Sequence, residues 1–209
     1  MHVILHDISK RYGDKYVLNE LNLELNSGKC YAIVGASGIG KTTLLRLVAD
    51  LEYPDSGSVN KPEDAIVSYA FQEPRLFPGL TVLENIHAID PDCDTKEILR
   101  SLDLQTEANS YPSSLSGGMK KRAGLARALA KRANIYLIDE PTAGQDAHHS
   151  VEVAEAIRRY TEGALCLIST HDPDLISAVA DEMIVFTQEG VHTHSVAGIS
   201  SEGIRELMR

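Results

Sequence analysis

The chain has no tryptophan, three phenylalanines and eight tyrosines among its 209 residues. So few rings leave little on which to stack unpaired bases, and a platform for single-stranded nucleic acid is not expected. Basic charge is scarce as well: 20 Lys and Arg face 30 Asp and Glu, a net charge of −10. Binding a phosphate polymer needs clustered Lys and Arg, so DNA and RNA are poor partners for this chain. Cysteine is rare, and Cys30, Cys93 and Cys166 are odd in number and far apart. No disulfide framework is implied, and Cys30 and Cys166, each in an apolar run, read as buried thiols. No run approaches the ~18 apolar residues of a membrane-spanning helix. The segment from Met1 to Asp7 lacks the basic-then-apolar order of a signal peptide. The expectation is a cytosolic protein whose contact with a membrane comes through a partner. Repeats, linkers and low-complexity stretches are missing too.

What is present is an ordinary globular composition, 43% hydrophobic and 24% charged. Its length suits one domain burying roughly 70% of its unfolded surface. Leu21, Leu23 and Leu25 alternate with Asn22, Glu24 and Asn26, the period of a half-buried strand. Residues 29–34, apolar from Cys30 to Val34, follow the Ser27-Gly28 turn and read as a buried strand. Leu44, Leu47, Val48 and Leu51 then fall at helical spacing, closed by the turn residues Pro54-Asp55-Ser56-Gly57. Short apolar runs at 66–71, 135–138, 165–168 and 183–186, with 191–194 behind them, read as further strands. Residues 81–132 and 151–160 have helical character, the first stretch broken at Pro91 and by the polar residues 110–114. Alternation of this kind predicts an α/β fold with a mainly parallel sheet. One domain over 1–209, with residues 73–132 as a helical insertion, is the simplest organisation.

Two segments carry chemistry. Gly35-Ala36-Ser37-Gly38-Ile39-Gly40-Lys41-Thr42 fits G-x-x-x-x-G-K-[ST] between a predicted strand and a predicted helix, the context that gives the motif its meaning. Glycines let the backbone wrap a phosphate, with successive amides pointing inward at a helix N-terminus. Lys41 is expected to reach the β- and γ-phosphates and the Thr42 hydroxyl to hold Mg²⁺. A plain Gly-rich connection would leave a lysine at its end unexplained. Net acidity is no obstacle, because fields are screened over ~8 Å at physiological salt. The second segment is the apolar strand Ile135-Tyr136-Leu137-Ile138, which ends in Asp139-Glu140. Asp139 is the expected magnesium residue and Glu140 the expected general base toward an attacking water.

With these in place, Leu115-Ser116-Gly117-Gly118-Met119 ahead of a helix resembles the signature sequence of the ATP-binding cassette (ABC) ATPases. Over essentially its whole length the chain is similar to that family. Tyr12 resembles the aromatic that stacks on adenine, and Gln72 in Phe71-Gln72-Glu73-Pro74 resembles the Q-loop glutamine. Ala143-Gly144-Gln145-Asp146 occupies the D-loop position, and His171 in Ser169-Thr170-His171-Asp172 resembles the switch histidine. The resemblance implies a P-loop core with a mainly parallel sheet, an N-terminal antiparallel β subdomain and a helical signature subdomain. It implies ATP and Mg²⁺ as cofactors, bound along the loop from Gly35 through Thr43. It also implies a head-to-tail dimer, most simply of identical chains, in which Ser116, Gly117 and Gly118 complete the partner's site. Gln72 then senses Mg²⁺ and the water, and His171 touches the γ-phosphate. Residues 71–86 and Met119 resemble importer subunits that serve nitrate, sulfonate or taurine. Thr142 where such importers more often have Phe, Gln145 for a usual leucine, and a short segment between Asn85 and Lys96 depart from that group.

The functional expectation is an ATPase that drives solute import through separate permease subunits, served in turn by a solute-binding protein, from the inner face of the membrane. The alternatives are a non-transport ABC ATPase acting on ribosomes or DNA, and a nucleotide-binding module that does not hydrolyse. Lys120, Lys121, Arg122, Arg127, Lys131 and Arg132 read as a solvated helix face, with partner contact or favourable charge at the helix end as the alternatives. His148-His149 and the pair His192 and His194 show no third ligand and read as ordinary surface histidines.

Overall fold

The computed structural model describes residues 2–144 and 147–208, apart from the side chains of 147 and 148. Two strands, β1 (His2–Tyr12) and β2 (Lys15–Asn26), form a long hairpin. They are followed by β3 (Cys30–Gly35), α1 (Lys41–Val48), β4 (Ser56–Asn60) and β5 (Val67–Ala70). The helical stretch comprises α2 (Val82–His87), α3 (Thr95–Ser101), two single 3₁₀ turns and α4 (Gly117–Ala130). The chain continues through β6 (Ile135–Asp139), α5 (Ala147–Tyr160), β7 (Leu165–Ser169), α6 (Pro173–Val179), β8 (Glu182–Phe186), β9 (Val191–Ser195) and α7 (Ser201–Leu207). No helix among the described residues is long and apolar enough to cross a membrane.

The strands form two sheets. One is antiparallel and three-stranded, in the order β2-β1-β4; the other has six strands in the order β5-β6-β7-β3-β8-β9. In the larger sheet every pairing is parallel except β8 with β9. Its central strands are buried on both faces, and the pleat deals their side chains alternately to two cores. Ile135 and Leu137 of β6, with Leu165 and Leu167 of β7, pack toward α1 and the antiparallel sheet. Tyr136, Ile138, Cys166 and Ile168 pack on the other side, against α4, α5 and the helical stretch. Ala32 and Val34 of β3 meet Ile176, Met183 and Ile204 in a third cluster.

Two expectations need correction. Leu51 does not continue the helical face: α1 ends at Val48, Asp50 takes a left-handed φ of 54°, and Leu51 is exposed. The basic stretch is not a solvated face either. Arg122 is buried and donates through Nε to the Leu102 carbonyl, while Arg127 donates to the carbonyls of Pro74 and Arg75. Lys121 reaches the Ala143 carbonyl and Lys131 that of Val67. These cations close orphaned carbonyls of neighbouring segments and so tie α4 to the sheet and to the loop behind Gln72.

Candidate functional site

Parallel strands deliver their carboxyl ends to one edge of a sheet, and a crevice there is where such folds gather ligand groups. β3 delivers the loop 35–40, β5 leads to Gln72, β6 ends in Asp139 with Glu140 next, and β7 ends in Ser169 just ahead of His171. A cavity of about 500 Å³ opens at this edge. Its lining includes Tyr12, Lys41, Thr42, Gln72, Asp139, Glu140 and His171.

The loop is shaped by glycines at close approaches. Gly35 has φ 145°, and a Cβ there would lie 2.7 Å from the Phe186 carbonyl oxygen. Gly40, which caps α1, has φ 124°, and a Cβ would lie 2.6 Å from the Val17 carbonyl oxygen. No other residue type fits either position without moving backbone. Ala36, Ser37 and Gly38 form the exposed crest of the loop and Ile39 its half-buried return. Lys41, Thr42 and Thr43 then offer the first-turn amides of a helix, which have no acceptor within it.

Lys41 is 8% exposed and well held. Its Nζ donates to the carbonyls of Gly35 at 2.7 Å and Ala36 at 3.1 Å, and lies 3.3 Å from His171 Nε2. Burial draws its pKa below the usual lysine value, while the Glu140 and Asp139 carboxylates pull it back up. The same His171 nitrogen lies 3.3 Å from Glu140 Oε1. One ring atom thus stands between an ammonium and a carboxylate, and the tautomer decides which partner it serves.

Below, the Thr42 hydroxyl donates to Asp139 Oδ2 at 3.0 Å, and the Ser169 hydroxyl donates to Asp139 Oδ1. Glu140 sits one residue beyond the strand with φ 50°, and its amide donates to Ser169 through both the carbonyl oxygen, at 2.9 Å, and Oγ, at 3.3 Å. At the cavity rim, Tyr12 ends β1 just before the two-residue turn Gly13-Asp14. Its hydroxyl donates to Glu52 Oε1 and lies 3.4 Å from Thr43 Oγ1. Burial, and next the Glu52 carboxylate, push its phenol pKa up.

Expected residues therefore divide in two. Tyr12, the loop, Gln72, Asp139, Glu140 and His171 come together. Ser116, Gly117 and Gly118 do not line this cavity. Ser116 caps α4, its hydroxyl accepting from the Met119 amide at 3.2 Å, and it stands exposed with Gly117. Of the D-loop segment, Gln145 and Asp146 lie outside the described residues. Two residues passed over in the sequence belong to the network, Ser169 and Glu52. A lone hydroxyl ending the otherwise apolar run Leu165-Cys166-Leu167-Ile168 is the signal that marks the first. His149, read as an ordinary histidine, has Nε2 3.5 Å from Asp103 Oδ2, with Glu152 close by.

The family model described as "ABC transporter" matches residues 18–143. The aliphatic sulfonates import ATP-binding protein SsuB 1 of Shouchella clausii is 39% identical over 88% of this chain and 77% of that protein. The chain belongs to the ABC transporter family. It is an ATPase cassette of that family. The sulfate/thiosulfate import ATP-binding protein CysA of Synechocystis is 36% identical over 90% of this chain and 58% of that protein. Among solved structures, the dimeric post-hydrolysis state of the ATP-binding cassette MJ0796 bound to ADP and Pi superposes with a TM-score of 0.82 at 26% identity, covering 94% of this chain and all of that one.

Proposed function

We propose that the chain is the ATP-binding and ATP-hydrolysing subunit of an importer, energising solute movement through separate membrane permeases. The observation that carries the reading is the convergence of Lys41, Asp139, Glu140 and His171 on one cavity in a chain of this family. The import names of its relatives supply the direction of transport, and their sulfonate and sulfate cargo suggests a small oxyanion-bearing solute, delivered by a binding protein. The chain works at the inner face of the membrane, held there by the permease. Residues 1–209 act as one nucleotide-binding domain, with residues 73–132 as its helical insert.

The loop amides from Gly35 through Thr43 cradle the phosphates, and Lys41 exchanges its two carbonyl partners for phosphate oxygens. Thr42 and Asp139 are paired hard oxygen donors, the set that Mg²⁺ prefers, and Gln72 faces the same cavity. When bound, the ion neutralises charge on the β- and γ-phosphate oxygens. Glu140 accepts the proton of the attacking water, and His171, already against Glu140 and Lys41, keeps that water and the γ-phosphate aligned. Tyr12 offers its ring to the base. Because Ser116, Gly117 and Gly118 stand apart from the loop of their own chain, they serve the site of a second copy, and the working form is a head-to-tail homodimer. The dimeric state of MJ0796 supports the pairing of two cassettes.

Glu140→Gln keeps the size and removes the base. Turnover should fall ~10²–10⁴-fold, with ATP binding intact and ATP-bound dimers accumulating on size exclusion. Hydrolysis at the wild-type rate would remove Glu140 from the mechanism.

A further inference from the structure

We propose that Ser169 is a positioning residue that orients the Asp139 carboxylate for the divalent cation and locks the catalytic turn at Glu140; this rests on the ATPase reading above. Ser169 is fully buried at the end of β7. In register it stands opposite Asp139 of β6 on one side and Ile33 of β3 on the other, between the strand that ends in the acids and the strand that enters the loop. A hydroxyl placed there has to find partners, because an unpaired buried polar group is costly.

Its partners fix its direction. The Glu140 amide is only a donor and the Asp139 carboxylate only an acceptor. The chain of bonds therefore runs one way: Glu140 N–H into Ser169 Oγ, and Ser169 O–H into Asp139 Oδ1. This occupies Oδ1 and leaves Oδ2, which receives the Thr42 hydroxyl at 3.0 Å, as the oxygen turned toward the cation site. The backbone of Ser169 adds a second hold, its carbonyl accepting the Glu140 amide at 2.9 Å. Glu140 sits in left-handed backbone, φ 50°, which a non-glycine residue keeps only when its surroundings enforce it. One side chain thus sets which carboxylate oxygen meets the metal and where the next residue's carboxylate begins. Ser169 is fully buried and does not line the cavity, so its effect passes through these two neighbours.

The test compares Ser169→Ala, which deletes the hydroxyl alone, with Ser169→Thr, which keeps it. Mn²⁺ binding in the presence of ATP is read by electron paramagnetic resonance, and ATP binding in EDTA by calorimetry. A hydrogen bond to a charged group corresponds to about a tenfold or larger effect. In Ser169→Ala the Mn²⁺ affinity should drop about tenfold while ATP affinity in EDTA stays within about twofold, and Ser169→Thr should recover most of the loss. Unchanged Mn²⁺ affinity in the alanine variant would overturn the proposal. So would an equal loss of ATP affinity in EDTA, since that marks general damage to the site, or a threonine variant no better than alanine. A wild-type chain that hydrolyses ATP alongside an indifferent Ser169→Ala sinks this inference alone, whereas a wild-type chain that neither binds nor hydrolyses ATP sinks the ATPase reading and this one with it.

Discussion

Gly40 shows how little freedom a single position at this site has. Its φ of 124° and the Val17 carbonyl 2.6 Å from a prospective Cβ exclude a side chain twice over, once by conformation and once by space. Gly40→Ala should therefore displace the loop against β2 and weaken ATP binding at least tenfold. The unfolding free energy should fall by about 1–3 kcal/mol, the cost of an enforced unfavourable backbone. Titration with ATP and chemical denaturation of the same variant measure both, and an alanine variant that binds like wild type would show that the loop is free to shift. Residues of this kind were legible in the sequence, because a glycine, a lysine and a threonine at fixed spacing already state a geometry. Ser169 and Glu52 were not, since their partners are Asp139, 30 residues away, and Tyr12, 40 residues away. The hydroxyl closing an apolar run marks Ser169 but does not name its partner, and nothing local distinguishes Glu52 from any other glutamate.

Among the elements, α2 has the most explicit start. Thr81 and Glu84 cap each other's amides, and Asn85, with no exposure at all, holds the preceding turn. Its Oδ1 accepts from the Phe77 amide at 2.8 Å, and its Nδ2 reaches the carbonyls of Phe77, Leu80 and Thr81. Asn85→Ala strips four contacts and buries an unpaired amide, which should cost about 3 kcal/mol. Hydrogen exchange at Phe77 should quicken, with ATP affinity unchanged because the cavity lies elsewhere. An unfolding free energy within about 0.5 kcal/mol of wild type would show that water replaces the asparagine. The strands of the parallel sheet were readable as apolar runs. β1 was not, and the reason is physical. Its alternation of Val3 and Leu5 slips at a bulge, where Asp7 takes φ 49° and the pairing with β2 jumps from Leu5 to Ile8. A broken period hides a strand as surely as a polar composition does.

At the scale of the molecule, the acidic balance becomes an argument about assembly. If two copies close on ATP, as proposed above, they bring together twice the charge of −10, and long-range repulsion opposes the dimer. Raising salt from about 0.01 to about 0.1 M shortens the screening length from ~30 to ~10 Å. The dimer fraction of Glu140→Gln with ATP should rise over that interval in sedimentation velocity. A fraction that falls instead would mean that opposite charges meet at the interface and outweigh the repulsion. Fold class was open to reading at this scale from the alternation of runs and helical stretches alone. The two-sided packing of β6 and β7 was not, because which core receives a given apolar residue depends on strands that are distant in sequence.

The loop from Gly35, the acids Asp139 and Glu140, and Ser169 all hang from β3, β6 and β7, and these three strands are contiguous in the order β6-β7-β3. Adjacent strands sharing a ladder have almost no independent degrees of freedom. The groups at their tips cannot be misaligned one at a time by warming, as groups on separate loops can. They keep their spacing until the ladder itself gives way. In such a design, heat that leaves the ladder folded should leave the acids and Ser169 at their spacing, and hydrolysis lost below the unfolding temperature points to separation of the two copies rather than to a distorted site.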